Sequence, residues 1–275
     1  MTERATDKPG ILQVTNVEQD ERYYCRRLPD GTTAYAPSWT HVLGETWPRS
    51  IGLELWRGDV GNQRAEEIMQ QAGEEGAYVH DAIHTLLKGG WLASDDVRRM
   101  FPRARALKPL RCLQSFLDFA AAFRPEPVAL ESVTWLDDPR AAGTMDFYGW
   151  IQRPIRKGNS VVASPDLGDR VLAVLDWKTS KAIHEQHRAQ VAGYRHSERT
   201  GGAEVDVAAI LHLGNSTKAR WSLIDLTPEI DRWTELALMA VRTFHLHHPD
   251  ARPSTEQFPE TFTLNPLADA TATTA

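Results

Sequence analysis

Asp176 and Lys178 stand two residues apart at the end of the apolar run VLAVL. In a strand, a period of two places this carboxylate and ammonium on one face, with Leu175 and Trp177 on the other. A surface ion pair is the plain alternative. The apolar run argues instead for the end of a buried strand, where each charge needs a partner or a metal because an unpaired buried charge is costly. Asp146, in GTMDFYGWI, becomes such a partner if that segment is the preceding strand and pairs as a hairpin. Two close carboxylates repel unless they share a proton or a cation. Mg²⁺ suits them, being a hard ion that takes a few carboxylates and keeps some of its waters.

Gln190 and Tyr194 lie four apart in HRAQVAGYRH, on one helical face a short connection after Lys178. Alone, the pair reads as the polar edge of an amphipathic helix. His80 and His84 share that spacing in EEGAYVHDAIHTLLKGG. A histidine pair one turn apart can bind zinc, but Asp81 stands where an H-E-x-x-H helix needs Glu, and no cysteine or third histidine is near. His84 therefore reads as a packing or surface residue, and His80 taken alone as structural.

The elements that must position these residues are legible from periodicity and turn signals. ILQVTNV, RYYCRRL and TTAYAP, separated by EQDE and the turn PDG, predict small antiparallel strands. The proline-bounded APSWTHVLGETWPRS leads into a helix over 62–88, interrupted or relaxed near Gly73 and Gly76 and ended by Gly89 and Gly90. A second helix over 108–123 stops at Pro125. Three strands follow, PVALESVTWL, GTMDFYGWI and RVLAVLDWKTS, with the loop RPIRKGNSVVASPDLGD between the second and third. A helix over 184–200, strands VDVAAILHL and ARWSLIDL, and a helix over 228–247 with Pro228 in its first turn complete the order. This order predicts an α/β domain with a mixed central sheet flanked by helices. The expected division is a β-rich elaboration over 1–36, the main domain over 37–250 and a loosely held Pro/Thr/Ala-rich tail over 251–275.

Composition narrows the function classes. A chain of 275 residues with 41% hydrophobic content can bury a full core. Two isolated cysteines, Cys25 and Cys112, argue against a disulfide framework, a structural zinc site and a four-cysteine iron–sulfur cluster. No apolar run approaches the roughly 20 residues that span a bilayer, and MTERATDKPG lacks a signal-peptide core. The expectation is a soluble, cytoplasmic chain with no membrane partner. A net charge of −6 argues against coating nucleic acid by bulk electrostatics, yet VRRMFPRARALKPLR holds six cations, Arg103 and Arg105 among them, and no acid. That run reads equally as a phosphate-contacting groove or as a solvated face. Of the nine tryptophans, Trp39, Trp47, Trp56 and Trp91 fall outside the predicted sheet and offer either stacking surfaces or core packing.

Taken together these residues resemble the PD-(D/E)XK nuclease superfamily, in its RecB-like exonuclease branch, which includes many phage proteins. The pieces that carry the resemblance are GAYVH ending at His80, Glu131 on the first main strand, GTMD ending at Asp146, DWK over 176–178 and QVAGY over 190–194; PSWTHVLGETWP is similar to the opening region of phage members. Met145 replaces the proline of the superfamily name, the spacing from Asp146 to Asp176 implies an insertion between Gln152 and Arg170, and the cluster-binding cysteines of some members are missing.

The resemblance implies one or two Mg²⁺ or Mn²⁺ ions held by His80, Asp146, Asp176 and the Trp177 carbonyl. Glu131 would be a further ligand or hold a metal-bound water. Lys178 would orient or deprotonate the attacking water, Gln190 would position Lys178 or that water, and Tyr194 would contact DNA or brace its helix. It further implies linear duplex or single-stranded DNA as substrate, a recombination partner protein, and a host-cell cytoplasmic location if phage-encoded. Its rivals are an endonuclease on the same fold and a catalytically silent DNA-binding accessory protein.

Overall fold

The computed structural model describes residues 2–16, 21–48, 50–158, 160–214 and 220–253. Four strands open the chain, β1 (Thr2–Ala5), β2 (Ile11–Asn16), β3 (Glu21–Arg27) and β4 (Thr33–Pro37), and form an antiparallel sheet in that order. β1 was not expected from the sequence, and Glu18–Asp20 of the EQDE spacer lie outside the described residues. Two short helices follow, α1 (Trp39–Thr46) and α2 (Ile51–Val60), in place of a simple lead-in. Each is started by a serine cap. Ser38 Oγ accepts the His41 N–H at 3.1 Å, and Ser50 Oγ accepts the Leu53 N–H at 3.4 Å.

Helix α3 (Asn62–Leu87) is unbroken through Gly73 and Gly76, correcting the expected relaxation. Helix propensity costs about 1 kcal/mol at each glycine, too little to break a helix packed along one face. Gly76 has a reason to be small, since a β-carbon there would stand 3.2 Å from Thr179 Oγ1. After α4 (Ser94–Met100), α5 (Arg103–Phe123) begins earlier than expected and runs through Pro109.

The main strands are β5 (Glu126–Leu136) and β6 (Ala141–Gln152), then a small hairpin of β7 (Pro154–Lys157) and β8 (Ser160–Ala163) in the predicted insertion, then β9 (Arg170–Lys178). Helix α6 (Glu185–Thr200), strands β10 (Val207–Leu213) and β11 (Trp221–Asp225), and α7 (Ile230–His247) follow. Pro228 sits in a 3-10 turn ahead of α7, not in its first turn. The five-stranded sheet has the order β11-β10-β9-β6-β5, with β9 and β10 parallel and the other pairs antiparallel. Parallel pairing needs a crossover, which α6 supplies.

β9 reads as a near-continuous apolar run because both of its faces are covered. Leu175 and Trp177 enter the cluster beneath α3 and α5, while Val174 joins the cluster beneath α6 and α7. Alternation then sends Asp176 and Lys178 toward the α6 side. The N-terminal sheet docks on β5 and β6 through Ile11, Tyr24 and Ala36 against Val133 and Ala142. Polar contacts reinforce it: Asp7 accepts the Ser132 hydroxyl at 2.6 Å and the Val133 N–H at 2.8 Å. Of the expected tail, residues 254–275 lie outside the described residues, while Ala251 packs against the α6–α7 cluster.

Candidate metal centre

The β6–β9 ladder ends at Phe147↔Leu175, so the next facing residues are Asp146 and Asp176. On the other side of β6, Leu130↔Phe147 and Ser132↔Met145 bracket Glu131, which therefore faces Asp146. Three carboxylates thus occupy one level across β5, β6 and β9. Glu131 has φ 50, in the left-handed region that costs a residue with a β-carbon roughly 1–2 kcal/mol, so the surrounding packing holds it there.

α3 brings His80 to this row. Asp146 is the hub: its Oδ1 lies 3.1 Å from His80 Nδ1, and its Oδ2 accepts the Trp177 N–H at 2.6 Å. The carboxylate therefore takes the role of a main-chain acceptor where the ladder stops. Asp176 Oδ2 stands 2.5 Å from Lys178 Nζ, but makes no hydrogen bond of good geometry among the described residues although it is buried. One ligand atom each from His80, Glu131 and Asp146 lies within 4.8 Å of the other two. Asp176 is outside that group of three, turned to Lys178. The surrounding pocket has a volume of about 210 Å³ and is also lined by Arg22, Thr40 and Thr144.

The electrostatics follow from this crowding. Burial opposes a charged His80, but the Asp146 carboxylate outweighs it and pushes the imidazole up to about 9. Burial likewise opposes ionisation of Asp146, yet His80, Lys178 and the Trp177 N–H hold it below the usual carboxylate range. Asp176 is pushed up to about 6 by burial and by Asp146, against the pull of Lys178. Glu131 is pushed up to about 7 by burial of its carboxyl, with Asp146 adding repulsion, although the residue keeps an exposed outer side. An excess of carboxylate is thus balanced by one imidazolium and one ammonium.

Gln190 and Tyr194 form the α6 wall. Gln190 Nε2 donates to Tyr194 Oη at 2.6 Å, and Tyr194 is 2% exposed. Tyr194 lines the pocket from within its wall, a position that suits the bracing role. Two glycines in the quoted motifs acquire a physical reason here. A β-carbon on Gly143 would fall 2.6 Å from Tyr194 Cε1 and 2.9 Å from Trp39 Cδ1, and one on Gly193 would fall 2.8 Å from the Trp39 ring. Trp39 is fully buried between β6 and α6, so it packs and offers no stacking face. Trp177 uses its N–H on Asp146 and buries its indole beside Phe116 and Phe147.

Four cations of the basic run have acidic partners. Arg105 donates to Glu75 at 3.0 Å and Glu74 at 2.9 Å, Lys108 pairs with Glu75, and Arg98 and Arg99 pair with Asp95 and Asp96. Acids from α3, distant in sequence, complete pairs that the run itself lacks, so Arg105 is committed to carboxylates and does not line the pocket. Arg103 lies in α5, and its side chain is outside the described residues. Arg22 on β3 was missed; it does line the pocket and makes no ion pair among the described residues. No motif marks it, because only tertiary docking of the N-terminal sheet brings it there.

The donor set could hold a metal ion: one imidazole and carboxylate oxygens, with no thiolate in it among the described residues, and the Asp176–Lys178 pair beside them. Among the described residues, no helix is long and apolar enough to cross a membrane. No protein-family model and no curated protein matches this chain.

Proposed function

We propose that this chain is a Mg²⁺- or Mn²⁺-dependent deoxyribonuclease with a PD-(D/E)XK core, acting as an exonuclease on linear duplex or single-stranded DNA. The observation that carries the reading is the convergence of His80, Glu131 and Asp146 within 4.8 Å, beside the Asp176–Lys178 pair on one strand. His80, Glu131, Asp146 and Asp176 would hold one or two ions, with the Trp177 carbonyl as a further oxygen. A bound divalent ion lowers the pKa of water and offsets charge on a phosphate. Lys178 contributes a positive charge 2.5 Å from Asp176, placed to orient water and to stabilise negative charge developing on a phosphate oxygen.

His80 and Asp146 set the protonation linkage. With the imidazole pushed up to about 9, a cation entering at neutral pH must displace the His80 proton, so affinity rises with pH. Gln190 and Tyr194, bonded to each other on α6, brace the pocket wall behind the acids. A pocket of about 210 Å³ beside these residues has room for ions and a phosphate group.

The test is incubation of purified protein with end-labelled linear DNA and with covalently closed circles, each with Mg²⁺, Mn²⁺ or EDTA. Shortening from a terminus, abolished by EDTA, with intact circles surviving, is the expected result. Cutting of closed circles at the rate of linear DNA would make the enzyme an endonuclease, and cutting that persists after exhaustive chelation would refute the metal reading.

A further inference from the structure

The N-terminal sheet docks on the main sheet over part of one face, and the rest of that face turns to the metal centre. β3 follows β5 and β6 in two-residue steps. Arg26 lies over the Trp135 ring at 4.5 Å and pairs with Asp137. Tyr24, two residues back and so on the same face, shares the docked cluster with Val133, and its hydroxyl lies 2.8 Å from Thr144 Oγ1. One further step brings Arg22 to the pocket that holds Glu131, Asp146 and Asp176.

Register carries this face across the sheet. Thr15 stands opposite Arg22, Gln13 opposite Tyr24, and Arg4 on β1 opposite Gln13. Opposed residues of an antiparallel pair share a face, so Arg4, Gln13, Thr15 and Arg22 form a polar patch beside the apolar half made by Ile11, Tyr24 and Ala36. Strand spacing and rise put the α-carbons of Arg4 and Arg22 about 12 Å apart. Both arginines are exposed and, unlike Arg26 and Arg105, make no ion pair among the described residues. Both are nevertheless close to the site. Burial and Asp146 raise the Glu131 carboxyl, and Arg4 is among the charges that pull it back; burial raises the Tyr24 hydroxyl, and Thr144 and Arg22 pull it back.

We propose that Arg4 and Arg22 form a phosphate grip on the N-terminal sheet, holding phosphate groups of a nucleic-acid strand beside the metal centre; this deepens the nuclease reading and rests on it. Chemistry selects the occupant. Cations taken up by the carboxylates neutralise the anions nearest these arginines, which leaves guanidinium donors at the pocket without a counter-charge. Phosphate oxygens match that planar fork in both charge and geometry. Gln13 and Thr15, between the two arginines, add neutral donors and acceptors of the kind that contact sugar and phosphate oxygens.

The test is steady-state cleavage of labelled linear DNA by Arg4→Gln, Arg22→Gln and Arg22→Lys, with folding checked by a cooperative melt and Mn²⁺ affinity by calorimetry. Each Gln variant should raise KM about tenfold, the scale of one lost hydrogen bond to a charged group, with kcat within about twofold because the grip holds substrate and transition state alike. The slope of log kcat/KM against log [NaCl] should become shallower by about one unit per arginine removed, and Arg22→Lys should restore that slope while recovering only part of KM. Substrates ending in a phosphate or in a hydroxyl separate two sources of the contact: equal losses place it on the backbone, and a loss confined to the phosphorylated substrate places it on the terminal phosphate. Mn²⁺ should bind the Gln variants as tightly as wild type or more so. Tighter Mn²⁺ binding with KM and salt slope unmoved would overturn the proposal by reducing the arginines to charge balance for the acids. A fall in kcat at constant KM would overturn it by moving them into the chemistry. Cutting by wild type tests the nuclease reading separately: its absence would remove that reading and the grip together, whereas cutting indifferent to both substitutions would remove the grip alone.

Discussion

Replacing Glu131 with Gln should stabilise the ion-free protein at alkaline pH and leave it unchanged in acid. The two side chains share shape and the backbone keeps φ 50, so the change isolates charge. Burial of the carboxyl and the nearby Asp146 carboxylate raise Glu131 from 4.5 to about 7. A carboxyl raised in the folded state favours folding most below its unfolded value, and that advantage is lost as pH rises through the folded value. Wild type therefore loses stability between about pH 4.5 and 7 through this residue, while the Gln variant does not. At ~1.36 kcal/mol per pH unit the rise corresponds to about 3 kcal/mol, an upper bound because the residue is exposed on its outer side; screening brings the expected gain to roughly 1 kcal/mol. Thermal melts in EDTA should put Glu131→Gln about 2–4 °C above wild type at pH 8 and level with it near pH 4.5. Added Mg²⁺ should then raise wild type more than the variant, since a ligand oxygen has been lost. Equal destabilisation of the variant at both pH values would refute the view that this pocket crowds like charges awaiting a cation.

The same site makes further demands. Lys178→Ala should reduce cleavage by about a hundredfold or more, on the scale of losing one preorganised electrostatic group, while keeping metal and DNA affinity; a wild-type rate would remove Lys178 from the chemistry. Gly143→Ala should lower the melting temperature by several degrees, because its methyl would meet Tyr194 at 2.6 Å and Trp39 at 2.9 Å, and an unchanged melt would show that this wall yields. Because His80 is raised from 6.5 to about 9, the ion-free protein should lose stability as pH climbs from 6.5 through 9, and a His80→Gln variant should be flat across that window in the same melts.

Much of the centre was legible because strand alternation and register are short-range rules. Asp176 and Lys178 lie two apart in an apolar run, and antiparallel pairing carried Asp146 to Asp176 across a hairpin whose insertion, β7 and β8, leaves the register intact. His80, Gln190 and Tyr194 needed ordered motifs, since spacing along separate helices does not say which faces meet. Features set by distant partners were not legible. Arg105 looked available for phosphate until α3 supplied Glu74 and Glu75, and Arg22 reached the pocket only because Tyr24, Ile11 and Ala36 dock the first sheet. The continuity of α3 through Gly73 and Gly76 is likewise tertiary: packing of Val79, Ala82 and Ile83 outweighs two weak helix formers. The caps at Ser38 and Ser50 were readable signals for α1 and α2, masked by the prolines around them.

The most direct measurement is calorimetric titration of Mn²⁺ into wild type and Asp146→Asn at pH 8, with hydrolysis of labelled linear DNA followed in the same samples. Wild type should bind one or two ions, release protons as His80 gives up its charge, and cut with the same Mn²⁺ midpoint. Asp146→Asn removes the carboxylate that joins His80 to the Trp177 N–H, and should lose tight binding together with at least a hundredfold in rate. Hydrolysis at the wild-type rate by Asp146→Asn, or by wild type with no ion bound, would contradict the account.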